Sequence, residues 1–167
     1  MGIFLKDITL KGKTALITGA TKGLGRGAAE AIAEAGGNVI AIGRNQSELN
    51  SLGRKIKKLK VKYTSFNCDV NNYNRIKKFI KNLKKLDILV NNAGTNIPED
   101  FLSVKKQSLE TILNVNTKAV FNIAQLCANQ IIKLKKKQGS IINISSIFGL
   151  VAGQKRTVYS MTKFGVE

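Results

Sequence analysis

The sequence contains no histidine and no tryptophan, and only one proline and two cysteines among its 167 residues. The absence of histidine excludes Ser-His-Asp catalysis, Cys-His catalysis and histidine-ligated metal sites within this chain. Cys68 and Cys127 stand far apart and outside any metal-binding motif, which is typical of a protein in a reducing cytoplasm. No apolar run reaches the ~20 residues of a membrane span, and residues 1–13 lack the apolar segment of a signal peptide. We therefore expect a cytoplasmic protein that binds no metal and does not enter a membrane.

Acidic residues are also scarce, since 10 Asp and Glu face 28 Lys and Arg, which gives a formal net charge of +18. A charge of this size is typical of nucleic-acid-binding proteins. Most of the cations are lysines, however, whereas base reading and bidentate phosphate binding favour arginine. The sequence also contains no recognition motif and no aromatic platform for base stacking. We therefore predict that the lysines cover helix surfaces and that nucleic acid is not a partner.

Short apolar runs alternate with longer helical patterns along the whole chain. This alternation is typical of βαβ units built on a parallel sheet, and it predicts an α/β fold. Because the apolar runs are nearly continuous, we expect the strands to be buried on both faces. The predicted strands are 14–18, 38–42, 61–66, 86–91 and 140–145, and the predicted helices are 24–35, 46–60, 72–83, 109–135 and one from about residue 158.

A glycine-rich turn with the spacing G-x3-G-x-G separates the first predicted strand from the first helix. Glycines let the backbone approach a pyrophosphate closely, and the following helix presents free N–H groups to the anion. This position in the chain predicts a nucleotide-binding turn. Its candidate cofactor-binding residues are Thr18, Gly19, Thr21, Lys22, Gly23, Leu24 and Gly25.

The end of the second predicted strand indicates which nicotinamide cofactor would be used. An acidic side chain there would accept hydrogen bonds from the ribose 2′-hydroxyl of NAD and repel a 2′-phosphate. The sequence instead has Arg44, which can bind the 2′-phosphate with two hydrogen bonds, and Lys22 adds a second cation. We therefore predict a preference for NADP(H) over NAD(H).

Tyr159 and Lys163 lie four residues apart, so on a helix they share one face. A lysine ammonium one turn away favours the phenolate and lowers the pKa of the tyrosine towards the working range of an enzyme. Ser146 directly follows the fifth apolar run and has Ser145 as a competing candidate. Because strand alternation sends these two side chains in opposite directions, spacing to Tyr159 favours Ser146.

The glycine turn, the segment Asn91-Asn92-Ala93-Gly94 and the Tyr159–Lys163 pair together resemble the three signature motifs of the short-chain dehydrogenase/reductase family. The resemblance covers nearly the whole chain, and within the family the sequence is similar to 3-oxoacyl-(acyl-carrier-protein) reductases. It implies a Rossmann-type doubly wound sheet with strand order 3-2-1-4-5 and helices on both faces. It also implies a single NAD(P)-binding domain over residues 1–167 that is incomplete at its C-terminus, because the family has seven strands. We therefore expect strand five to be an exposed edge, and the chain to aggregate readily, bind NADP weakly and show little activity.

The same resemblance assigns a role to individual side chains. Asn91 would support the sheet, Asp69 would bond the adenine, and Asn92, Ala93 and Gly94 would contact the cofactor. Asn116 would complete a proton relay through water, with Asn114 as a less favoured alternative. The implied catalytic residues are Asn116, Ser146, Tyr159 and Lys163, of which Tyr159 and Lys163 would also touch the cofactor.

The implied function is an NADP(H)-dependent oxidoreductase that interconverts a carbonyl and a secondary alcohol by hydride transfer. The substrate could be a 3-oxoacyl thioester on an acidic acyl carrier protein, which a basic surface would attract. Alternatives are a sugar-acid or polyol dehydrogenase and a non-catalytic nucleotide-binding fragment. The full-length protein is expected to form a homodimer or homotetramer through its last two helices. The basic surface in question consists of Lys133, Lys135, Lys136 and Lys137, for which solvated side chains are the favoured interpretation.

Overall fold

The computed structural model describes residues 9–135 and 138–167. Within these ranges, five strands form one parallel sheet in the order β3-β2-β1-β4-β5. This confirms the predicted strand order and the α/β fold class. The strands are β1 (Thr14–Thr18), β2 (Asn38–Gly43), β3 (Tyr63–Asn67), β4 (Ile88–Asn91) and β5 (Ser140–Asn143).

Helices cover both faces of the sheet, because alternate strand residues point to opposite sides. Ala15 and Ile17 of β1 pack in one apolar cluster with residues of the first two helices, while Leu16 packs in a second cluster with residues of the third and fifth. The fold is therefore doubly wound, as the sequence predicted. The helices are α1 (Gly23–Glu34), α2 (Gln46–Lys57), α3 (Tyr73–Lys81), α4 (Lys106–Leu113), α5 (Ala119–Lys133) and α6 (Thr157–Val166).

The prediction of one helix over 109–135 was wrong in two respects. The helical segment begins at Lys106, and a π-helical stretch, Asn114–Lys118, separates α4 from α5. Its start is earlier because the Glu99 carboxylate accepts hydrogen bonds from the N–H of Lys105 at 3.3 Å and from the Ser108 hydroxyl at 3.0 Å. The Glu99 carboxylate, which lies outside the helix, thus holds the residue before α4 and a side chain of its first turn, and no local motif marks this start.

Burial on both faces holds for β1 but not for β5. Every residue of β1 is buried, whereas every residue of β5 is exposed, with Ile141 at 41% and Ile142 at 47%. The difference follows from sheet order, because β1 is central and β5 lies at an edge. The expectation of an exposed apolar edge at β5 is therefore confirmed.

Several predicted boundaries also shift by a few residues. The helix predicted over 46–60 ends at Lys57, and residues 58–60 form a turn in which Lys60 adopts a φ of 60°. The strand predicted over 61–66 runs from Tyr63 to Asn67. Within the described residues, every helix is too short or too polar to cross a membrane.

Candidate active site at the carboxyl edge of the sheet

A cavity of about 270 Å³ lies beyond the carboxyl ends of β1, β4 and β5. In an open parallel sheet, this edge is where ligands bind, beside the point at which the strand order reverses between β1 and β4. We call this space the edge cavity. Its lining residues are Leu24, Asn92, Gly94, Thr95, Asn96, Ile144, Ser145, Tyr159 and Lys163.

The glycine turn leaves β1 and enters α1 as the sequence predicted. Gly19 and Gly23 have φ values of +63° and +54°, in the left-handed region that favours glycine. A Cβ atom built on Gly23 would meet nothing within 4 Å, so the amino end of α1 borders open space. Lys22 is exposed at the N-cap position, and its side chain makes no capping hydrogen bond. Backbone N–H groups beside open space and an exposed cation fit the pyrophosphate of a dinucleotide.

The other side of the glycine turn is held by the segment after β4. The Thr18 hydroxyl accepts hydrogen bonds from the N–H groups of Asn92 and Ala93, both at 3.0 Å. The Asn92 amide in turn donates to the carbonyl oxygens of Thr18 at 3.0 Å and Gly19 at 3.2 Å. A Cβ atom at Gly25 would collide with the Asn92 amide. Thr18 and Asn92 thus fix the shape of the turn.

Arg44 lies at the end of β2, where the cofactor preference was predicted. Its side chain is 80% exposed, and its Nη1 lies 3.6 Å from Asp69 Oδ2 after β3. Asp69 also accepts a hydrogen bond from the Asn71 N–H at 2.8 Å, which fixes its loop. A Cβ atom built on Gly43 would collide with the Thr21 methyl group, so no side chain extends from this strand end. Arg44 and Asp69 therefore lie side by side at the open end of the sheet.

Tyr159 and Lys163 extend from α6 into the edge cavity. The Lys163 ammonium is 5.8 Å from the centre of the Tyr159 ring and donates a 2.6 Å hydrogen bond to the Ile144 carbonyl oxygen. Burial lowers the pKa of Lys163, because the residue is only 5% exposed. Phe148 packs edge-on against the Tyr159 ring, with ring centres 6.2 Å apart. The structure therefore brings the predicted pair together and holds both members in place.

Asn116 lies in the π-helical stretch and is completely buried. Its amide donates hydrogen bonds to the Thr95 carbonyl at 2.9 Å and to the Thr162 hydroxyl at 3.1 Å, and its oxygen accepts from the Thr95 N–H at 2.8 Å. A Cβ atom built on Gly94 would lie 3.5 Å from Asn116 Oδ1 and 3.9 Å from Lys163 Nζ. Asn116 thus belongs to the wall directly behind the edge cavity.

The two adjacent serines differ in their contacts. Ser145 lines the edge cavity, and its hydroxyl lies 3.4 Å from the Lys163 carbonyl oxygen, to which it donates. Ser146 begins a short 3₁₀ turn, where its oxygen accepts a hydrogen bond from the Phe148 N–H at 3.2 Å. The hydroxyl proton of Ser145 is therefore directed at the protein, whereas the Ser146 oxygen serves as an acceptor.

Some residues of the site were not predicted as site residues from the sequence. Thr95 and Asn96 line the edge cavity; in the sequence they belong to the segment Thr95-Asn96-Ile97-Pro98, which looks closer to sugar-acid or polyol dehydrogenases, but neither was a candidate site residue. Thr162 accepts a hydrogen bond from Asn116, and the Glu99 carboxylate accepts two, so both residues position neighbouring segments. Such residues could be found only once the distant segments they touch had been brought together.

The basic surface considered for an acidic partner is only partly described. Lys133 and Lys135 are exposed at and just after the carboxyl end of α5. Lys136 and Lys137 lie outside the described residues.

The chain is similar in sequence to proteins of one known family. A family model described as short chain dehydrogenase matches residues 13–167. A 3-oxoacyl-(acyl-carrier-protein) reductase of Thermotoga maritima is 34% identical over 161 residues, which cover 94% of this chain and 65% of that protein. The L-xylulose reductase of Mus musculus is 34% identical over 161 residues, which cover 96% of this chain and 64% of that protein. The chain thus spans slightly less than two thirds of the length of these relatives.

Solved structures with the same fold include one from Agrobacterium tumefaciens that contains bound NADP and is designated a 2-deoxy-D-gluconate 3-dehydrogenase. Its TM-score is 0.87 at 29% sequence identity, and the match covers 95% of this chain and 63% of that one. The family model, which matches residues 13–167, spans both the glycine turn and the residues that line the edge cavity.

Proposed function

Because the chain belongs to the short chain dehydrogenase family, we propose that it functions as an NADP(H)-dependent oxidoreductase that interconverts a carbonyl and a secondary alcohol. The observation that carries this proposal is the position of Tyr159 and Lys163. Both border the edge cavity, which also reaches Leu24 at the amino end of α1. A proton donor and a nucleotide-binding turn therefore meet at one cavity.

The residues around the glycine turn fit a nicotinamide dinucleotide. The N–H groups at the start of α1 would hold the pyrophosphate, while Ala93 and Gly94 would border the ribose. Arg44 and Lys22 are exposed cations suited to a 2′-phosphate, which supports NADP(H) over NAD(H), as does the bound NADP of the Agrobacterium tumefaciens protein. Asp69 would accept a hydrogen bond from the adenine amino group. When bound, the nicotinamide supplies or accepts the hydride.

Tyr159 would donate its phenolic proton to the carbonyl oxygen during reduction and remove it during oxidation. The ammonium of Lys163, 5.8 Å from the ring centre, supports this role by stabilising negative charge on the phenol oxygen. Asn116 holds the backbone beside Lys163 and would complete the path by which the proton is replaced. Each role uses a group that is fixed by packing or hydrogen bonds, so little reorganisation is needed.

Ser145 lines the edge cavity and Ser146 is not among its lining residues, but the hydrogen bonds of the two serines favour Ser146 as the group that would bind the carbonyl oxygen. Its oxygen already accepts from the Phe148 N–H, which leaves its proton available for donation to a substrate. The Ser145 proton points to the Lys163 carbonyl oxygen instead. Replacing each serine by alanine separately tests this choice, and only the Ser146→Ala variant should lower turnover strongly.

We also propose a cytoplasmic location, and assembly into a homodimer or homotetramer through α5 and α6. Large apolar side chains are exposed on both helices, including Phe121 at 65%, Met161 at 50% and Phe164 at 49%. Burial of these side chains against a second copy would be favourable. The substrate would be a small carbonyl compound, free or carried as a thioester on an acyl carrier protein.

The Tyr159→Phe variant tests the proposed function, with Tyr73→Phe on the exposed surface of α3 as its control. We expect Tyr159→Phe to reduce NADPH-dependent carbonyl reduction by at least about 100-fold, since proton transfer contributes on this scale. NADPH binding, followed by its fluorescence, should be retained in both variants. Near-normal turnover by Tyr159→Phe would refute the proton-donor role. An unmodified protein that binds NADPH but reduces neither acetoacetyl thioesters nor keto sugars would favour the non-catalytic alternative.

A further inference from the structure

The 3₁₀ turn Ile147–Gly149 follows Ser146 directly and packs against α6. The N–H of Gly149 donates to the Ser146 carbonyl oxygen at 2.9 Å, which closes the turn. A Cβ atom built on Gly149 would lie 3.0 Å from the Lys163 carbonyl oxygen, closer than ordinary van der Waals contact. The backbone of the turn thus approaches the backbone of α6 as closely as a glycine allows.

Phe148, in the middle of this turn, contacts both residues that would act on the carbonyl oxygen. Its N–H donates to the Ser146 side-chain oxygen at 3.2 Å. Its ring packs against the Tyr159 ring with centres 6.2 Å apart and planes at 77°, an edge-to-face arrangement that aromatic rings favour. The side chains of Ile147 and Leu150 are exposed, whereas Phe148 is partly buried. Phe148 therefore joins the serine to the proton donor.

Gly153 packs against the ring of Phe148. A Cβ atom built on Gly153 would collide with Cε1 of Phe148 and lie 3.1 Å from its Cζ. Because Gly153 has a negative φ, an alanine there would act through this collision and not through backbone strain. The Gly153 carbonyl oxygen also accepts a hydrogen bond from the Arg156 N–H at 3.1 Å, just before α6 begins. The ring is therefore confined by Gly153 as well as by Tyr159.

The relative position of Ser146 and Tyr159 matters because both would bind one carbonyl oxygen at the same time. A hydrogen bond requires its heavy atoms to lie about 3 Å apart, and a misplacement of about 1 Å can lower a rate by about 100-fold. Ser146 begins a 3₁₀ turn, whereas Tyr159 belongs to α6, so neither element alone fixes their separation. A side chain that contacts both residues is placed to do so.

We propose that Phe148 is a positioning residue that holds the Tyr159 phenol within reach of the oxygen bound by Ser146, and that this arrangement requires a glycine at position 153. The inference rests on the proposed carbonyl reduction. Phe148 does not belong to the described lining of the edge cavity, so it acts through Ser146 and Tyr159 and not on the substrate. Loss of its ring should therefore lower kcat and leave the binding of substrate and NADPH nearly unchanged.

Two single variants disturb the ring in different ways. Phe148→Leu removes the ring but keeps an apolar side chain, whereas Gly153→Ala displaces the ring and leaves Phe148 in place. We expect each to lower kcat for NADPH-dependent carbonyl reduction by about 10- to 100-fold, with KM and the Kd for NADPH changed by less than about threefold. NADPH fluorescence titration counts the folded sites on which kcat is based. Gly165→Ala on α6 is the control, because a Cβ atom there would meet nothing within 4 Å.

The double variant Phe148→Leu/Gly153→Ala distinguishes positioning from a general loss of stability. If both changes act through the ring, Gly153→Ala has little left to disturb once the ring is gone. The kcat of the double variant should then lie within about threefold of that of Phe148→Leu alone. If Phe148→Leu does not fold, the kcat of Gly153→Ala decides the inference.

Three results would overturn the inference and leave the proposed function intact, namely a normal kcat in either single variant, a loss confined to KM, or losses that multiply in the double variant. Failure of the proposed function is a different result, because the unmodified protein would then reduce no carbonyl compound. The inference would fail with it.

Discussion

The side chain of Asn116 bonds both backbone polar groups of Thr95, accepting from its N–H at 2.8 Å and donating to its carbonyl oxygen at 2.9 Å. These residues are 21 positions apart in the sequence. The contact joins the π-helical stretch to the loop that follows β4, whose residues Thr95 and Asn96 line the edge cavity. Because Asn116 is completely buried, a change at this position cannot be compensated by water.

The Asn116→Asp variant should therefore be destabilised. An aspartate can still accept from the Thr95 N–H, but it cannot donate to the Thr95 carbonyl or the Thr162 hydroxyl while ionised. We expect the free energy of unfolding to fall by about 1–3 kcal/mol in urea denaturation, with a parallel loss of carbonyl reduction. Asn114 lies two residues earlier in the same π-helical stretch and is only partly buried, so Asn114→Asp should change the free energy of unfolding by less than about 0.5 kcal/mol. Equal effects of the two substitutions would contradict the contact-based explanation.

Replacing Arg44 by aspartate should reverse the cofactor preference. The carboxylate would repel a 2′-phosphate and accept a hydrogen bond from a 2′-hydroxyl. Loss of a charge-assisted hydrogen bond predicts a change of about 100-fold in the ratio of the Kd values for NADPH and NADH. Fluorescence titration with both cofactors measures this ratio. Arg54→Asp, an exposed position on α2, makes the same change in net charge and should leave the ratio as it is. An unaltered NADP preference in Arg44→Asp would disprove the assignment.

Three lysines have a positive φ that favours glycine, and two of them, Lys60 and Lys135, follow helices. Lys60 has a φ of 60° after α2, and Lys135 has a φ of 53° after α5. A left-handed conformation costs a residue with a Cβ atom about 1–2 kcal/mol. Glycine avoids this steric cost, but it loses more conformational entropy on folding, which offsets part of the gain. We expect Lys60→Gly and Lys135→Gly each to raise the free energy of unfolding by about 0.5–1 kcal/mol. Lys78→Gly inside α3 should instead lower it by up to about 1 kcal/mol. Destabilisation by all three glycine substitutions would show that the backbone φ angle does not determine their effects on stability.

Glu30 should make stability depend on acid pH. Burial raises the pKa of its carboxyl, but Lys55 and Arg26, whose nitrogens lie 2.7 and 3.2 Å from its oxygens, outweigh this and lower the pKa below its usual 4.5. The ionised carboxylate therefore stabilises the native state above pH 4.5, and this contribution is lost as the pH falls through the lowered native pKa.

The Glu30→Gln variant isolates this contribution. At neutral pH it should unfold at a lower urea concentration than the unmodified protein. Its free energy of unfolding should be lower by up to about 1 kcal/mol. The difference should shrink towards zero in strong acid, where both side chains are uncharged. Glu34→Gln provides the control, since no ion pair of Glu34 is found within residues 9–135 and 138–167. A difference that stays constant with pH would point to packing and not to charge.

The fold could be predicted from the sequence because its signals are local and repeated. Alternating apolar runs and helical patterns mark each βαβ unit, and the right-handed crossover fixes how successive units are placed. The glycine turn, Arg44 and the Tyr159–Lys163 pair were likewise recognisable, since each is a short motif at a strand end or on one helix. The exposure of β5 was expected from the family resemblance, which implied further strands beyond it.

Other features depend on residues that are distant in the sequence. The start of α4 depends on Glu99, which reaches the helix from outside, so no local pattern predicted it. The roles of the two serines differ because their hydroxyls meet different backbone groups, Phe148 N–H for Ser146 and the Lys163 carbonyl for Ser145. Spacing identified the pair but could not reveal these hydrogen bonds.

The sequence by itself determined the alternation of strands and helices, the glycine turn and the types of side chain available for proton transfer, because periodicity and motif spacing are properties of short segments. The strand order was implied by the family resemblance. Only the tertiary structure decided which polar groups are satisfied. It bonded Thr18 to the segment after β4, gave Asn116 three partners, and left the Asn96 oxygen without one among the described residues. The physical reason is that a hydrogen bond requires its two atoms to lie about 3 Å apart, and for groups tens of residues apart the folded chain alone sets that distance.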